Sequence, residues 1–337
     1  MTSQRGSDVH VPGAWPGGPE VVVLGSASRD LAGDDPRGWR LGGSVTYAAL
    51  TNARLGVRTA AVIGLDPLAF ESHELELLVR AGVELLRVPL PRGPVFQNVE
   101  SPGGRVQTCV DPGNPLPIVA VPEAWRGARA WMLAPVAEEL DDAWADHVPA
   151  AAFVALGWQG LLRTLWAGAL VTRREPAAGR LVQRADIVSL SEHDVAPGTK
   201  LEDLARFLHP GAWLLVTNGV AGGRLAAVTA GGLGRVARYP AIAAGHEVDA
   251  TGAGDTFLAA LVASVARALP DAAPGRALGR AAAGEGERVL DLRFAAAAAS
   301  FAVEGAGLGA VPDGSAVLRR LAGPAGQSVP EPPSSST

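Results

Sequence analysis

An α/β fold, with a mostly parallel sheet and a small β lid, is what this chain predicts, and three observations predict it. Short β-branched runs alternate with helical patterns along most of its length. Runs such as Val21–Leu24 are apolar throughout, as strands buried between helices are. One pair of strand-like runs flanking turn residues breaks the alternation and predicts an inserted hairpin. With 337 residues, 48% hydrophobic and 19% charged, the chain can bury the core of one large domain or of two modest ones.

The elements follow in order. Residues 1–19, with Pro12, Pro16, Pro19 and several glycines, predict a disordered tail. Val21–Leu24 is a buried strand, followed by a polar Gly/Asp/Pro stretch; Val45–Leu55 is a helix closed by Gly56, and Thr59–Ile63 a strand. Leu75–Arg80 is helical up to Gly82, and Glu84–Val88 returns as strand. Val95–Val99 and Arg105–Val110 flank Ser101-Pro102-Gly103-Gly104 as a hairpin, the kind of insertion that serves as a lid or a dimer contact. The alternation resumes with strands at Ala130–Leu133, Ala152–Leu156, Ile187–Leu190 and Trp213–Thr217, and closes with helices at Gly254–Leu269 and Leu292–Val303. Residues 323–337, rich in Pro, Gly and Ser, predict a second tail.

Composition removes several classes of function. The 42 glycines show no three-residue period, so the chain is not collagen-like. Net charge is −5, the single lysine is Lys200, and the arginines are spread thinly, which argues against a nucleic-acid partner. Phe294–Val303 falls well short of the roughly 18 apolar residues of a membrane span. The lone Cys109 allows no internal disulfide and residues 1–20 lack a signal-peptide core, which predicts a cytoplasmic protein. The six histidines show no i,i+4 pairing, so no zinc site is expected. Most of the eight tryptophans, Trp166 among them, fall in or beside apolar elements and read as core.

Chemistry concentrates in Glu247-Val248-Asp249-Ala250-Thr251-Gly252-Ala253-Gly254-Asp255-Thr256-Phe257, which runs into the apolar helix Leu258–Val262. Two glycines around an alanine let consecutive N–H groups converge at a helix N-terminus, where the helix dipole adds positive potential. A carboxylate at the mouth of such an anion cradle needs a reason. Asp255 is either a helix cap or the general base for a hydroxyl nucleophile.

The whole string resembles the C-terminal signature of the PfkB, or ribokinase-like, carbohydrate kinases. Other segments match the family in order. Leu41-Gly42-Gly43 before a helix ending Ala53-Arg54-Leu55-Gly56 resembles its di-glycine signature, and Val23–Asp30 its first strand with a substrate-binding aspartate. Val216–Gly223 resembles the nucleotide-site strand and turn, and Phe301–Gly307 the last helix and loop near the adenine. The resemblance implies a single three-layer α/β/α domain over 20–322, with the lid at about 30–42 and 93–112, since Asp30, Gly42-Gly43 and Asp255 must meet in one site. It also implies ATP and Mg²⁺, a monovalent cation such as K⁺, a sugar, polyol or nucleoside acceptor, and a second copy docked through the lid. Asp255 would be the base, and Gly252, Ala253 and Gly254 the anion hole. Asp30, Gly42 and Gly43 would hold the acceptor, and Thr217, Gly219, Gly222, Ser191 and Thr251 the nucleotide. Asp194 and Asp249 would serve the metal. No Walker-type Gly-Lys-Ser/Thr occurs, so the phosphates must be held by the cradle.

The chain departs from the family pattern at two places. The family's Asn-x-x-Glu is replaced by Ser191-Glu192-His193-Asp194, where Ser191 and Asp194 either serve magnesium and the phosphates or cap a helix. Tyr47 stands where ribokinases commonly have an asparagine that binds the sugar; it either meets a ring or hydroxyl of the acceptor, or packs in the core. The hairpin and Gly157-Trp158-Gln159-Gly160-Leu161-Leu162-Arg163 look more like the myo-inositol kinase branch, and there Gln97, Asn98 and Gln159 suit a neutral polyol, or are plain exposed residues. The weakened Ser191 and Asp194 positions leave a non-catalytic ligand binder as the alternative from another class.

Overall fold

The computed structural model describes residues 8–10, 15–101, 104–268 and 290–323. The first half runs β1 (Asp8–His10), β2 (Val21–Ser26), β3 (Ser28–Leu31), β4 (Trp39–Gly42), α1 (Ser44–Arg54), β5 (Thr59–Leu65), α2 (Pro67–Phe70), α3 (Leu75–Arg80), β6 (Glu84–Pro89), β7 (Val95–Ser101), β8 (Gly104–Asp111), β9 (Ala130–Leu133), α4 (Trp144–His147) and β10 (Phe153–Gly157). The second half runs β11 (Arg163–Thr164), β12 (Ala169–Leu170), β13 (Thr172–Arg173), α5 (Arg180–Arg184), β14 (Ile187–Ser191), α6 (Leu201–Ala205), β15 (Trp213–Thr217), β16 (Gly223–Thr229), β17 (Gly232–Tyr239), α7 (Ala253–Ala268), α8 (Leu292–Ala302) and α9 (Gly314–Ala322).

The central sheet has the order β1-β6-β5-β2-β9-β10-β14-β15-β16-β17. Its seven inner strands are parallel and are almost wholly buried because helices cover both faces. On one face pack α1, α7 and α8, joined by residues of α2, α3 and α9; α4, α5 and α6 cover the other. Alanine-rich α7 and α8 can approach the sheet and each other closely, which gives the alanine excess a packing role. The order reverses between β2 and β9, so a cleft opens at the C-terminal ends of these strands.

A second sheet of five strands, β12-β8-β7-β3-β4, forms the lid. The hairpin of β7 and β8 supplies its centre, and β12 adds an edge by pairing Ala169 with Cys109. Three features differ from the sequence-based expectation. Residues 8–10 form a strand against β6 inside the segment expected as a tail, while 1–7, 11–14 and 324–337 lie outside the described residues, as does Leu269. The β16/β17 hairpin gave no strand signal because glycines and exposed arginines interrupt its apolar alternation. Helix α9 carries one fully buried side chain, Val317, too few for a visible periodicity.

Trp125, Trp131, Trp144 and Trp158 are buried under the α4–α6 layer, whereas Trp166 is 71% exposed and is not core. The Trp125 indole N–H donates to buried Glu84 at 2.7 Å, while the Trp131 N–H meets no acceptor. Trp125→Phe and Trp131→Phe lose similar ring volume, but only the first strips a buried carboxylate of its donor. Urea unfolding should find Trp125→Phe the more destabilised of the two by about 1–3 kcal/mol.

Candidate active site

The site is built at the sheet's reversal point. β2 ends at Ser26 and turns into β3, which presents Asp30; the Ser28 hydroxyl donates to the Asp30 carboxylate at 3.0 Å. Gly42 pairs with Ser28 across β3 and β4, and any Cβ on Gly42 would collide with the Asp30 carboxylate. Gly43 adopts φ 95°, and a Cβ there would lie 2.7 Å from the Ser26 carbonyl oxygen. Both glycines thus make room for the protein's own Asp30 and β2 end.

Opposite them lies the N-terminus of α7. The Asp249 carboxylate accepts from the Thr251 N–H at 2.9 Å and from its hydroxyl at 2.7 Å, which shapes the turn before the helix. Gly252 follows at φ 81°, with the Tyr47 ring packed on it so closely that a Cβ would overlap the ring. Tyr47 itself is buried. The first-turn N–H groups of α7 have no intrahelical acceptor. That of Ala253 makes a long 3.3 Å bond to the Ala250 carbonyl, whereas Gly254 faces open space on its side-chain side.

Asp255 sits in that first turn, half-buried. Desolvation pushes its carboxyl above the usual carboxylate range, against the opposing pull of a hydrogen bond from the Ser44 hydroxyl and of the Arg163 guanidinium. Arg163 feels the fields of Asp194, Asp255 and Asp30 together, so three carboxylates from distant parts of the chain face one cation. Elevation by burial makes the Asp255 carboxylate a stronger base than an exposed aspartate.

At the end of β14, Ser191 and Asp194 lie side by side. They form a reciprocal capping box: the Ser191 hydroxyl accepts from the His193 N–H, and Asp194 accepts from the Ser191 N–H at 2.8 Å. The other Asp194 oxygen accepts from the Gln159 amide at 3.0 Å, so Gln159 faces Asp194. Thr217 is the register neighbour of Ser191 on β15, and its hydroxyl reaches the Leu190 carbonyl at 3.4 Å. Gly219 and Gly222 follow at φ 48° and 82°; a Cβ at Gly222 would overlap the Tyr239 carbonyl, while Gly219 is open.

The lid has two unlike faces. Asp30, Phe96 and Cys109 share one face through the register, and Asn98 lies on it with its carbonyl accepting from the Gln107 amide at 2.9 Å. Gln97 alternates to the other face, away from Asp30, where it is exposed. No group of three His, Cys, Asp or Glu side chains stands ready for a metal among the described residues. Asp194 and Asp249 still suit Mg²⁺, which keeps several waters and takes phosphate oxygens together with one or two carboxylates.

Two participants were not assigned from sequence. Ser44 directly follows the di-glycine, and its only signal is a hydroxyl at the first position of α1. Arg163 closes the Gln159–Arg163 segment, and its signal is a cation in an otherwise apolar turn.

The raised Asp255 carboxyl has a stability consequence. Its folded-state pKa lies above the unfolded value, so the fold favours the neutral form; that contribution is fully present below the unfolded pKa and is lost as pH rises through the folded one. Asp255→Asn, neutral at every pH, escapes the loss. Thermal melts should show the variant level with the wild type at the acid end and a few degrees more stable at pH 8.

Residues 161–313 match the family described as pfkB family carbohydrate kinase. No curated protein matches the sequence. Among solved structures, Arabidopsis thaliana ribokinase complexed with ribose and ATP aligns with TM-score 0.61 at 22% identity, over 90% of this chain and 98% of its own. Xylella fastidiosa fructokinase with bound ATP aligns with TM-score 0.64 at 21% identity, over 90% and 98% of the two chains. A pyrophosphate-dependent kinase in the ribokinase family, complexed with a pyrophosphate analog and myo-inositol, aligns with TM-score 0.64 at 18% identity, over 89% and 99%. Sequence match and shared architecture agree: this chain has the ribokinase fold, and its residues 161–313 match the pfkB family carbohydrate kinase model.

Proposed function

We propose that the protein is an ATP-dependent kinase that phosphorylates a hydroxyl group of a small sugar or polyol, an inositol-like ring included. The observation that carries this reading is Asp255: a desolvated carboxylate in the first turn of α7, beside the backbone N–H groups of the helix N-terminus. A site meant only to bind phosphate would gain nothing from a carboxylate there.

The acceptor hydroxyl lies between Asp30 and Asp255. Its proton passes to the Asp255 carboxylate as its oxygen bonds to the γ-phosphorus, and the bond from that phosphorus to the β,γ-bridging oxygen breaks, releasing ADP. The N–H groups of Gly252, Ala253 and Gly254 donate to the transferred phosphoryl oxygens, each such donor being worth about 3–4 kcal/mol in comparable sites. Magnesium, when bound, supplies charge neutralisation on the phosphates. Asp194 and Asp249 would hold it through water, and Asp249 also keeps Thr251 and the cradle in shape. Asp30, Asn98 and Gln107 on the inner lid face offer acceptors and donors to a neutral polyol. Thr217, Gly219 and Gly222 form the turn on which the nucleotide rests.

No helix among the described residues is long and apolar enough to cross a membrane. On the outer lid face, Leu31, Val99, Val106, Val110 and Leu170 are exposed, and a second copy of the chain would cover them. Val99→Glu combined with Val106→Glu should turn a dimer into a monomer by light scattering; a wild type that is already monomeric removes the dimer from the proposal.

ADP release measured against a panel of sugars, polyols and nucleosides tests the activity. Turnover with a sugar or polyol is expected, and Asp255→Asn should abolish it while ATP affinity by calorimetry stays nearly unchanged. ATP binding with no ADP formation on any acceptor would make the protein a binder instead; preference for nucleosides would move it to the nucleoside kinases. Because the base must be ionised, kcat/KM should fall as pH drops, with a midpoint above the ordinary aspartate value of 3.8.

A further inference from the structure

We propose that Arg163 is a catalytic residue that holds the phosphoryl group during its passage between donor and acceptor. This role rests on the kinase reading above. Three features of its surroundings support it. Arg163 opens β11, which is locked to β13 by pairing with Arg173, and the 3-10 turn before it is pinned where Gly160 packs directly on the Pro135 backbone. From the same turn Gln159 reaches Asp194, so the turn is registered against the end of β14. The guanidinium lies over the Phe96 ring, 5.9 Å from its centroid, and Phe96 is the register partner of Asp30 on the inner lid face. Arg163 therefore stands where the β14 end, the acceptor aspartate and Asp255 converge.

Its charge is held in reserve there. Arg29, Arg37, Arg40 and Arg224 close ion pairs with neighbouring carboxylates. Among the described residues Arg163 closes none, its one close partner being the face of Phe96. Half-burial works against its charged form, and the more distant Asp194, Asp255 and Asp30 sustain it. Three carboxylates around a cleft would repel a polyanionic donor, and one planar cation among them reverses the sign of the potential where phosphate must arrive. In phosphoryl transfer negative charge spreads over the three equatorial oxygens, which a guanidinium can meet with two parallel N–H groups. Asp255 takes the proton and Arg163 meets the charge on the group that the acceptor oxygen attacks.

Two variants test the assignment: Arg163→Met keeps an apolar stem on Phe96 without the charge, and Arg163→Ala leaves room for an added guanidinium. Both should lose about 10²–10³-fold in kcat with the KM values for ATP and acceptor within about three-fold of wild type. Methylguanidine should restore roughly ten-fold or more to Arg163→Ala and nothing to Arg163→Met. Calorimetry with ADP, aluminium fluoride and acceptor should show the transition-state-like complex weakened by a similar factor, with ATP binding unchanged. Intact kcat, a rise confined to acceptor KM, or analogue binding equal to wild type would overturn the role, the second outcome making Arg163 an acceptor ligand. If both variants stay active the kinase reading survives; a wild type that forms no ADP with any acceptor sinks that reading and this role together.

Discussion

Everything at the site hangs on one seam, where the first turns of α1 and α7 meet. Ser44, Tyr47 and Thr51 lie at i, i+3 and i+7 and so line one face of α1. Each meets a counterpart on the α7 side: the Ser44 hydroxyl favours the charged form of Asp255, Tyr47 covers Gly252, and Thr51 faces Thr256 with hydroxyl oxygens 3.5 Å apart. Residues about two hundred positions apart are thereby fixed to within one hydrogen bond. The constraint explains why position 252 must be glycine twice over, once for its backbone angle and once for the ring above it. It also gives the Tyr47 ring a packing role against the cradle.

The lid is fastened to this seam from its base. Glu74 accepts from Arg37 at 2.6 and 2.8 Å, from the Leu41 N–H at 3.2 Å and from the Ser72 hydroxyl. Burial alone would raise the Glu74 carboxyl, but these donors hold it down to about 2. Arg37 and Arg29 both lie over Trp39, which opens β4. Buried Glu139 plays a matching part on the other side, accepting from the N–H groups of Ser26, Val136 and Ala137 and so tying the end of β2 to the loop after β9. Asp30 is carried between two anchored points, and freedom is left to the outer strands.

Much of this architecture can be read from residue pattern alone. The inner strands declare themselves because burial on both faces demands uninterrupted apolar runs, and Ala130–Leu133 and Trp213–Thr217 begin and end where their composition says. The Gly252-Ala253-Gly254-Asp255 turn is legible for the same kind of reason, since its backbone conformation admits few residue types. What escapes is whatever depends on tertiary partners. A glycine that admits a ligand and one that admits the protein's own carboxylate look alike in sequence, as Gly42 shows. The faces of Gln97 and Asn98 follow from register across the hairpin, and the capping bonds of Ser191 with Asp194 leave no mark in the sequence that separates cap from ligand. Arg163 was hidden because a single arginine in a turn carries no period.

Trp166 gives the molecule an optical property. Its indole is in solvent on the short link between β11, which carries Arg163, and β12, which edges the lid. Apart from half-buried Trp15, the other tryptophans among the described residues are buried. Their emission belongs to an apolar interior, whereas that of Trp166 belongs to water. A shift in the red flank of the fluorescence spectrum therefore reports on the link between β11 and the lid, with no label attached.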